Sequence, residues 1–199
     1  MQDIFAKEFQ PKRIIDNPSE EKLREWALEQ GGIITEFGNL SVVTSVRNRI
    51  AKFTEVVMGK ISPEDTELIH KVLKYLRTKE MIKLDRVMCH TPGFKRNCRF
   101  YVTADYPRLP LMWGNTLFPS EGSEPDFAAV TVPEWPEKKT LVFPESGLTL
   151  CLGSDYKGEI KKAMLRQVMY WAKQQENLGL HAASKIMRVY RNGKLRDFG

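Results

Sequence analysis

The sequence predicts an α/β fold, a mixed twisted sheet flanked by a few helices, in a single domain over residues 1–199. Three observations carry this expectation. Seven short runs rich in β-branched and aromatic residues recur along the chain, each bounded by Gly, Pro, Asn or Asp. Two longer segments place apolar residues at helical spacing behind capping residues. A chain of 199 residues with 42% hydrophobic content can bury roughly 70% of its unfolded surface, enough for one core or at most two small ones.

Local signals define the elements in chain order. Asn17-Pro18-Ser-Glu20 reads as a capping box with proline at the first helical position, and Leu23, Trp26, Ala27 and Leu28 give a helix over about 18–30 that Gly31-Gly32 ends. Strands are expected at 33–37, 40–44 and 53–58. Ser62-Pro63-Glu-Asp65 opens a second helix, where Ile69, Val72, Leu73 and Leu76 keep one apolar face to about Arg77. His70 lies on that helix as an ordinary surface residue. Further strands are expected at 98–104, 127–132, 140–143 and 148–152. Prolines rule the connections: 105–110 and 119–125 read as exposed loops, and 133–139 as a solvated linker. Asn192-Gly193 demands a type I′ turn, so 185–190 and 194–198 pair as a hairpin.

Several function classes are disfavoured. The chain has no run of about 18 apolar residues and no signal-peptide core after Met1, which argues against membrane and secretory roles and for the cytoplasm. Cys89, Cys98 and Cys151 are odd in number and not in CxxC form, as expected of reduced thiols, and Cys89-His90 with Cys98 lacks a fourth zinc ligand. The net charge of +6 fits either a nucleic-acid surface or a site for small anions. The basic residues are spread out, densest at Lys95-Arg96 and around the last hairpin, without the aromatic interleaving of a single-strand binder, so no nucleic-acid partner is expected.

The most informative stretch is Gly153-Ser-Asp-Tyr156-Lys-Gly158-Glu159-Ile-Lys161-Lys162, with His181 nineteen residues after the second lysine. Adjacent helical lysines point about 100° apart, so one of the two tends to face inward, where it would serve an anion or a metal. Ile160, Ala163, Met164, Val168 and Trp171 also fit a packed helix that the lysines merely flank.

This stretch resembles the ATP-dependent phosphoenolpyruvate carboxykinases, which carry Tyr-Gly-Gly-Glu-Met-Lys-Lys and then a histidine at the same distance. The similarity continues in chain order through Phe100-Tyr-Val-Thr103, the run from Trp113 through Asn115 to Leu117-Phe118-Pro119, and Pro125-Asp126-Phe127. Upstream, Ser45-Val-Arg47-Asn-Arg49-Ile-Ala-Lys52-Phe53 is similar to the family's Thr-Gly-Arg-Ser-Pro-Lys-Asp-Lys-Tyr loop without its Gly, Pro and Asp.

The resemblance implies the fold of that family's amino-terminal domain and an enzyme that decarboxylates oxaloacetate and phosphorylates the enolate from ATP, with Mn²⁺ at the substrate and Mg²⁺ on the nucleotide. It places Lys162 and His181 as metal ligands, Lys161 beside the transferring phosphoryl group, Tyr156 near the substrate carboxylate and Arg47 as the carboxylate clamp. The small-molecule partner would be a dicarboxylate or phosphoenolpyruvate. Asp155 stands where the family has an aromatic residue, Lys157 where it has glycine and Lys185 where it has asparagine. No Gly-x-x-x-x-Gly-Lys-(Ser/Thr) run occurs, whereas the family has one shortly after the histidine and a hairpin. The expectation is therefore an amino-terminal, substrate-side part of a longer chain, inactive alone and completed by a carboxy-terminal nucleotide domain. A free-standing anion-binding or interaction domain without catalysis is the alternative.

Overall fold

The computed structural model describes residues 2–45, 51–182 and 185–198. In chain order the elements are helix α1 (Gln2–Glu8), strand β1 (Arg13–Asp16), α2 (Glu20–Glu29), β2 (Ile33–Ile34), β3 (Leu40–Ser41), β4 (Thr54–Val56), α3 (Pro63–Leu76), β5 (Glu80–Met88), β6 (Arg96–Thr103), α4 (Arg108–Gly114), β7 (Phe118–Pro119), β8 (Phe127–Val132), β9 (Lys139–Phe143), β10 (Leu148–Leu152), α5 (Lys157–Gln174), β11 (Met187–Arg191) and β12 (Lys194–Phe198).

One sheet organises the fold. Its order is β1-β5-β6-β8-β10-β9-β4, with β7 pairing on β5 beyond the end of β1. Strands β6, β8 and β10 run one way, and β1, β5, β9 and β4 the other. Both faces are covered, as alternation along the strands requires. Ile82, Leu84, Phe100, Val102 and Ala129 meet α2, α4 and α5 on one face. Met81, Val130, Val132, Leu141 and Leu150 meet α1 and α3 on the other. The fold class is the mixed α/β sheet flanked by helices that the sequence predicts.

Capping explains where the helices begin. The Ser62 hydroxyl accepts from Asp65 N at 3.0 Å, and α3 starts at Pro63 as expected. For α2 the cap is Ser19, which accepts from Lys22 N at 3.2 Å, not Asn17. Asn17 sits outside the helix at φ 46, where its side chain donates to Asp85 and accepts from Asp85 N at 2.7 Å. The final turn has the backbone that Asn192-Gly193 predicts, with φ 51 and 71.

Other expectations need correction. The loop read at 105–110 runs into α4, which starts at Arg108 and tolerates Pro110 in its first turn, where no helical N–H is lost. The linker at 133–139 is not solvated throughout: Pro133 is buried, Trp135 packs at 5.6 Å from Tyr75, and Glu134 accepts from Tyr75 and Thr103. The strands expected at 33–37 and 40–44 shrink to two residues each, because Thr35 to Asn39 close a turn through Thr35 N to Asn39 O. Strand β5, the longest of the described strands at nine residues, was not expected at all, nor were α1 and β1.

Candidate functional site

Parallel strands direct their carboxyl ends to one side of a sheet, which is where α/β folds gather ligand-binding loops. Beyond the carboxyl end of β10, the chain turns at Gly153 with φ +67, and a Cβ there would lie 2.4 Å from Glu137 O. Only glycine meets both demands. Ser154 and Asp155 come next, each 2% exposed, and Tyr156 N donates to Ser154 Oγ at 3.1 Å. Helix α5 starts at Lys157 with Tyr156 at its N-cap and no side-chain cap bond.

The Tyr156 ring folds back over the first turn of α5. A Cβ on Gly158 would come within 2.4–2.5 Å of Tyr156 Cζ, Cε1 and Oη, so the absence of a side chain at 158 permits this placement. The Lys162 ammonium lies 6.0 Å from the centre of the same ring, at the outer limit of a cation–π contact, and Lys162 is half-buried. Lys161 is exposed on the adjoining face. Neither lysine is drawn into the core; the inward stripe is Ile160, Ala163, Met164 and Gln167, whose amide donates to Leu148 O at 2.9 Å. Glu159, 3% exposed, holds Arg166 two turns on.

His181 is exposed and lies with Lys161 on the wall of a cavity of about 240 Å³, whose apolar floor includes Trp113, Leu117 and Met164. Two groupings result on adjoining faces of α5: Tyr156 with Lys162, and Lys161 with His181. Arg47 lies outside the described residues; Ser45 N–H donates to Asp155 Oδ2 at 2.8 Å. Asp155 also pairs with Arg108, which enters from α4 beyond the carboxyl end of β6 and lies 5.2 Å from the Tyr106 ring.

The basic groups at this helix start could serve an anion. Lys157, Lys161 and Lys162 in the first six residues of α5 add to the partial positive charge of the helix start, and a histidine borders the same helix. Among the described residues no cluster of three His, Cys, Asp or Glu stands ready to hold a metal. The thiols are poor ligands. Burial pushes Cys98 and Cys151 up to about 12, which keeps both protonated. Of the basic groups read from sequence, Lys95 pairs with Glu121 at 2.5 Å, Arg188 grips Asp197, and Arg96 stacks 3.5 Å over Trp171.

Sequence reasoning missed the contribution of Arg108 and the structural role of Asp155. Asp155 registered only as a departure from an aromatic residue, and the available signal was a carboxylate set between a strand full of apolar residues and a helix start. Arg108 was hidden in a segment read as loop.

The family model described as phosphoenolpyruvate carboxykinase matches residues 12–194. Across 208 aligned residues the chain is 34% identical to a "Phosphoenolpyruvate carboxykinase (ATP)" of Aeropyrum pernix, with all of this chain covered. The chain spans 42% of that relative's length. With nearly its whole length matched, this chain belongs to the ATP-dependent phosphoenolpyruvate carboxykinase family.

Proposed function

We propose that this chain is the amino-terminal, substrate-side part of a longer phosphoenolpyruvate carboxykinase, which converts oxaloacetate and ATP to phosphoenolpyruvate, ADP and CO2. The observation that carries the reading is the start of α5, where Tyr156, Lys161 and Lys162 stand at one sheet edge with His181 on the adjoining cavity wall. An enolate and a migrating phosphoryl group both carry negative charge in the transition state, and lysines fixed on a rigid helix stabilise it without reorganising.

In this reading Tyr156 orients the substrate carboxylate from its seat against Gly158, and Arg47 clamps it. Lys161 neutralises charge on the transferring phosphoryl group. Lys162 and His181 would hold Mn²⁺, which would supply Lewis-acid charge at the substrate. A third protein ligand and the phosphate-cradling loop for Mg-ATP come from a carboxy-terminal nucleotide domain.

Exposed apolar surface after α5 supports a missing neighbour. Leu178 is 82% exposed and Ile186 76%, more than isolated surface residues need. The reaction would be cytoplasmic; among the described residues no helix is long and apolar enough to cross a membrane.

The test is turnover. The longer protein should form phosphoenolpyruvate from oxaloacetate only when ATP and Mn²⁺ are supplied, and the 199-residue chain should fold yet show neither micromolar ATP binding nor turnover. Activity in the isolated chain, or none in the longer protein, would overturn the proposal, the latter in favour of a binding module.

A further inference from the structure

We infer that Glu159, paired with Arg166, is a positioning residue that fixes the rotation of α5 about its own axis and so aims Lys161 and Lys162; this rests on the enzyme reading of those lysines. Glu159 belongs to the stretch that resembles the family, yet the reaction chemistry assigns it no role. In the first two turns of α5, Lys157, Lys161 and Lys162 keep solvent contact, whereas Glu159 is buried.

Arg166 lies seven residues on, nearly above Glu159 along the helix, and its Nη1 donates to Glu159 Oε1. The Glu159 side chain is 4% exposed and that of Arg166 25%. A buried carboxylate is costly unless compensated, and here the guanidinium and the positive helix start both compensate it. On the sheet side the carboxylate meets β10. Burial, and after it the nearby Glu159 carboxylate, push the Cys151 thiol up to about 12. Cys151 stands in register between Thr131 of β8 and Thr140 of β9, and all three are buried. The start of α5 therefore rests on a row of short polar side chains that crosses three strands.

The rest of the inner face, Ile160, Ala163 and Met164, makes apolar contacts, which are non-directional and tolerate a small rotation of the helix. An ion pair cannot slide off its polar seat onto apolar neighbours at the same low cost. Gln167 pins the middle of α5 through Leu148 O and Thr149 Oγ1, and Glu159 pins its start. At about 100° per residue, Lys162 points about 60° from Glu159 and Lys161 about 160° from it, so the three directions are fixed together. Side chains reach about 5–6 Å from a helix axis, so a rotation of about 20° would carry both ammonium groups roughly 2 Å. A shift of about 1 Å at a reacting centre can cost about 10²-fold in rate. Glu159 touches no substrate in this account. It acts through the helix that carries the lysines.

The experiment uses Glu159→Ala and the double variant Glu159→Ala with Arg166→Met, which leaves no unpaired buried ion and keeps the test open if the single variant does not fold. In the 199-residue chain, N-ethylmaleimide labelling of Cys151, resolved by mass spectrometry, should accelerate at least about tenfold in either variant. Cys98, equally buried at 1%, should label at the wild-type rate. In the longer protein, kcat for phosphoenolpyruvate formation should fall at least about tenfold with the KM for oxaloacetate within about threefold, because the lysines act on charge that develops in the transition state. Glu159→Gln, whose amide oxygen still accepts from Arg166, should recover most of kcat. Unchanged Cys151 labelling in a folded variant overturns the anchor, and equal acceleration at both thiols overturns its local character. Faster Cys151 labelling with wild-type kcat makes the pair structural only and overturns the positioning claim. A wild-type longer protein that forms no phosphoenolpyruvate sinks the enzyme reading and the positioning role with it, a different result from any of these.

Discussion

The central sheet and the segment after α5 are built on opposite terms. Phe100, Val102, Leu150 and Met81 are fully buried, and their strands are hydrogen-bonded on both sides. In β11 every residue is exposed, Tyr190 by 72%, and among the described residues β11 pairs only with β12. Tyr156 and both lysines grow from the first region, whereas His181 stands on the second. The sheet holds its shape by burying apolar area, so substitutions there register as stability. The terminal segment buries little, so substitutions there should register as function or as binding to what covers it.

The comparison is broken most easily from the sheet side. Phe100→Ala removes a ring packed 5.3 Å from Trp113 and should cost about 3–5 kcal/mol in denaturant unfolding, whereas Tyr190→Ala should stay within about 0.5 kcal/mol. Equal costs would show that the hairpin is part of the core. Gly153→Ala comes next. Its strained φ and the 2.4 Å approach to Glu137 O predict a loss of roughly 2 kcal/mol, measured by the same unfolding curves, because backbone rather than a side-chain tip must move. A neutral result would mean that the turn before Tyr156 is free to shift.

A smaller effect lies at Asp85. Burial pushes its carboxyl up, but hydrogen bonds from Arg99 and Asn17, with the nearby Lys83, outweigh that and leave it below the ordinary carboxylate value. A depressed folded value contributes stability that is present above the unfolded pKa of about 4 and is lost as pH falls through the folded value. Unfolding free energy should therefore drop below about pH 4 in the wild type, and the Asp85→Asn variant should lose less over that window. Identical pH profiles would remove Asp85 from the account.

Legibility in the sequence divides in the same way between local and long-range causes. Ser62 and Asn192-Gly193 act within four residues, and the structure has a helix and a turn where they predict them. Strands β8 and β10 are short apolar runs and matched their expected bounds. Strand β5 escaped because it is buried on both faces with Lys83 and Asp85 set among Met81, Ile82, Leu84 and Val87. That pattern recurs every third residue and resembles a helix more than an alternating strand. At the site, Tyr156, Lys161, Lys162 and His181 were singled out through family resemblance, and the structure puts Lys162 near Tyr156 and Lys161 with His181. The Asp155–Arg108 pair was not singled out, since its two charges are compensated only once β6 and β10 lie on either side of β8.

His181 on the exposed segment is expected to carry chemistry without carrying stability, and His181→Ala separates the two. In the longer protein, phosphoenolpyruvate formation and the melting temperature should be measured together for the wild type, His181→Ala and His70→Ala. His70 makes a 3.0 Å contact with Glu8 on the far face of the sheet, away from α5, and serves as the control. The account predicts that His181→Ala lowers turnover by about 10²-fold or more with the melting temperature nearly unchanged, and that His70→Ala keeps wild-type turnover. Retained activity in the folded fraction, with stability lowered by about 2 kcal/mol or more, would make His181 a structural histidine and contradict the claim.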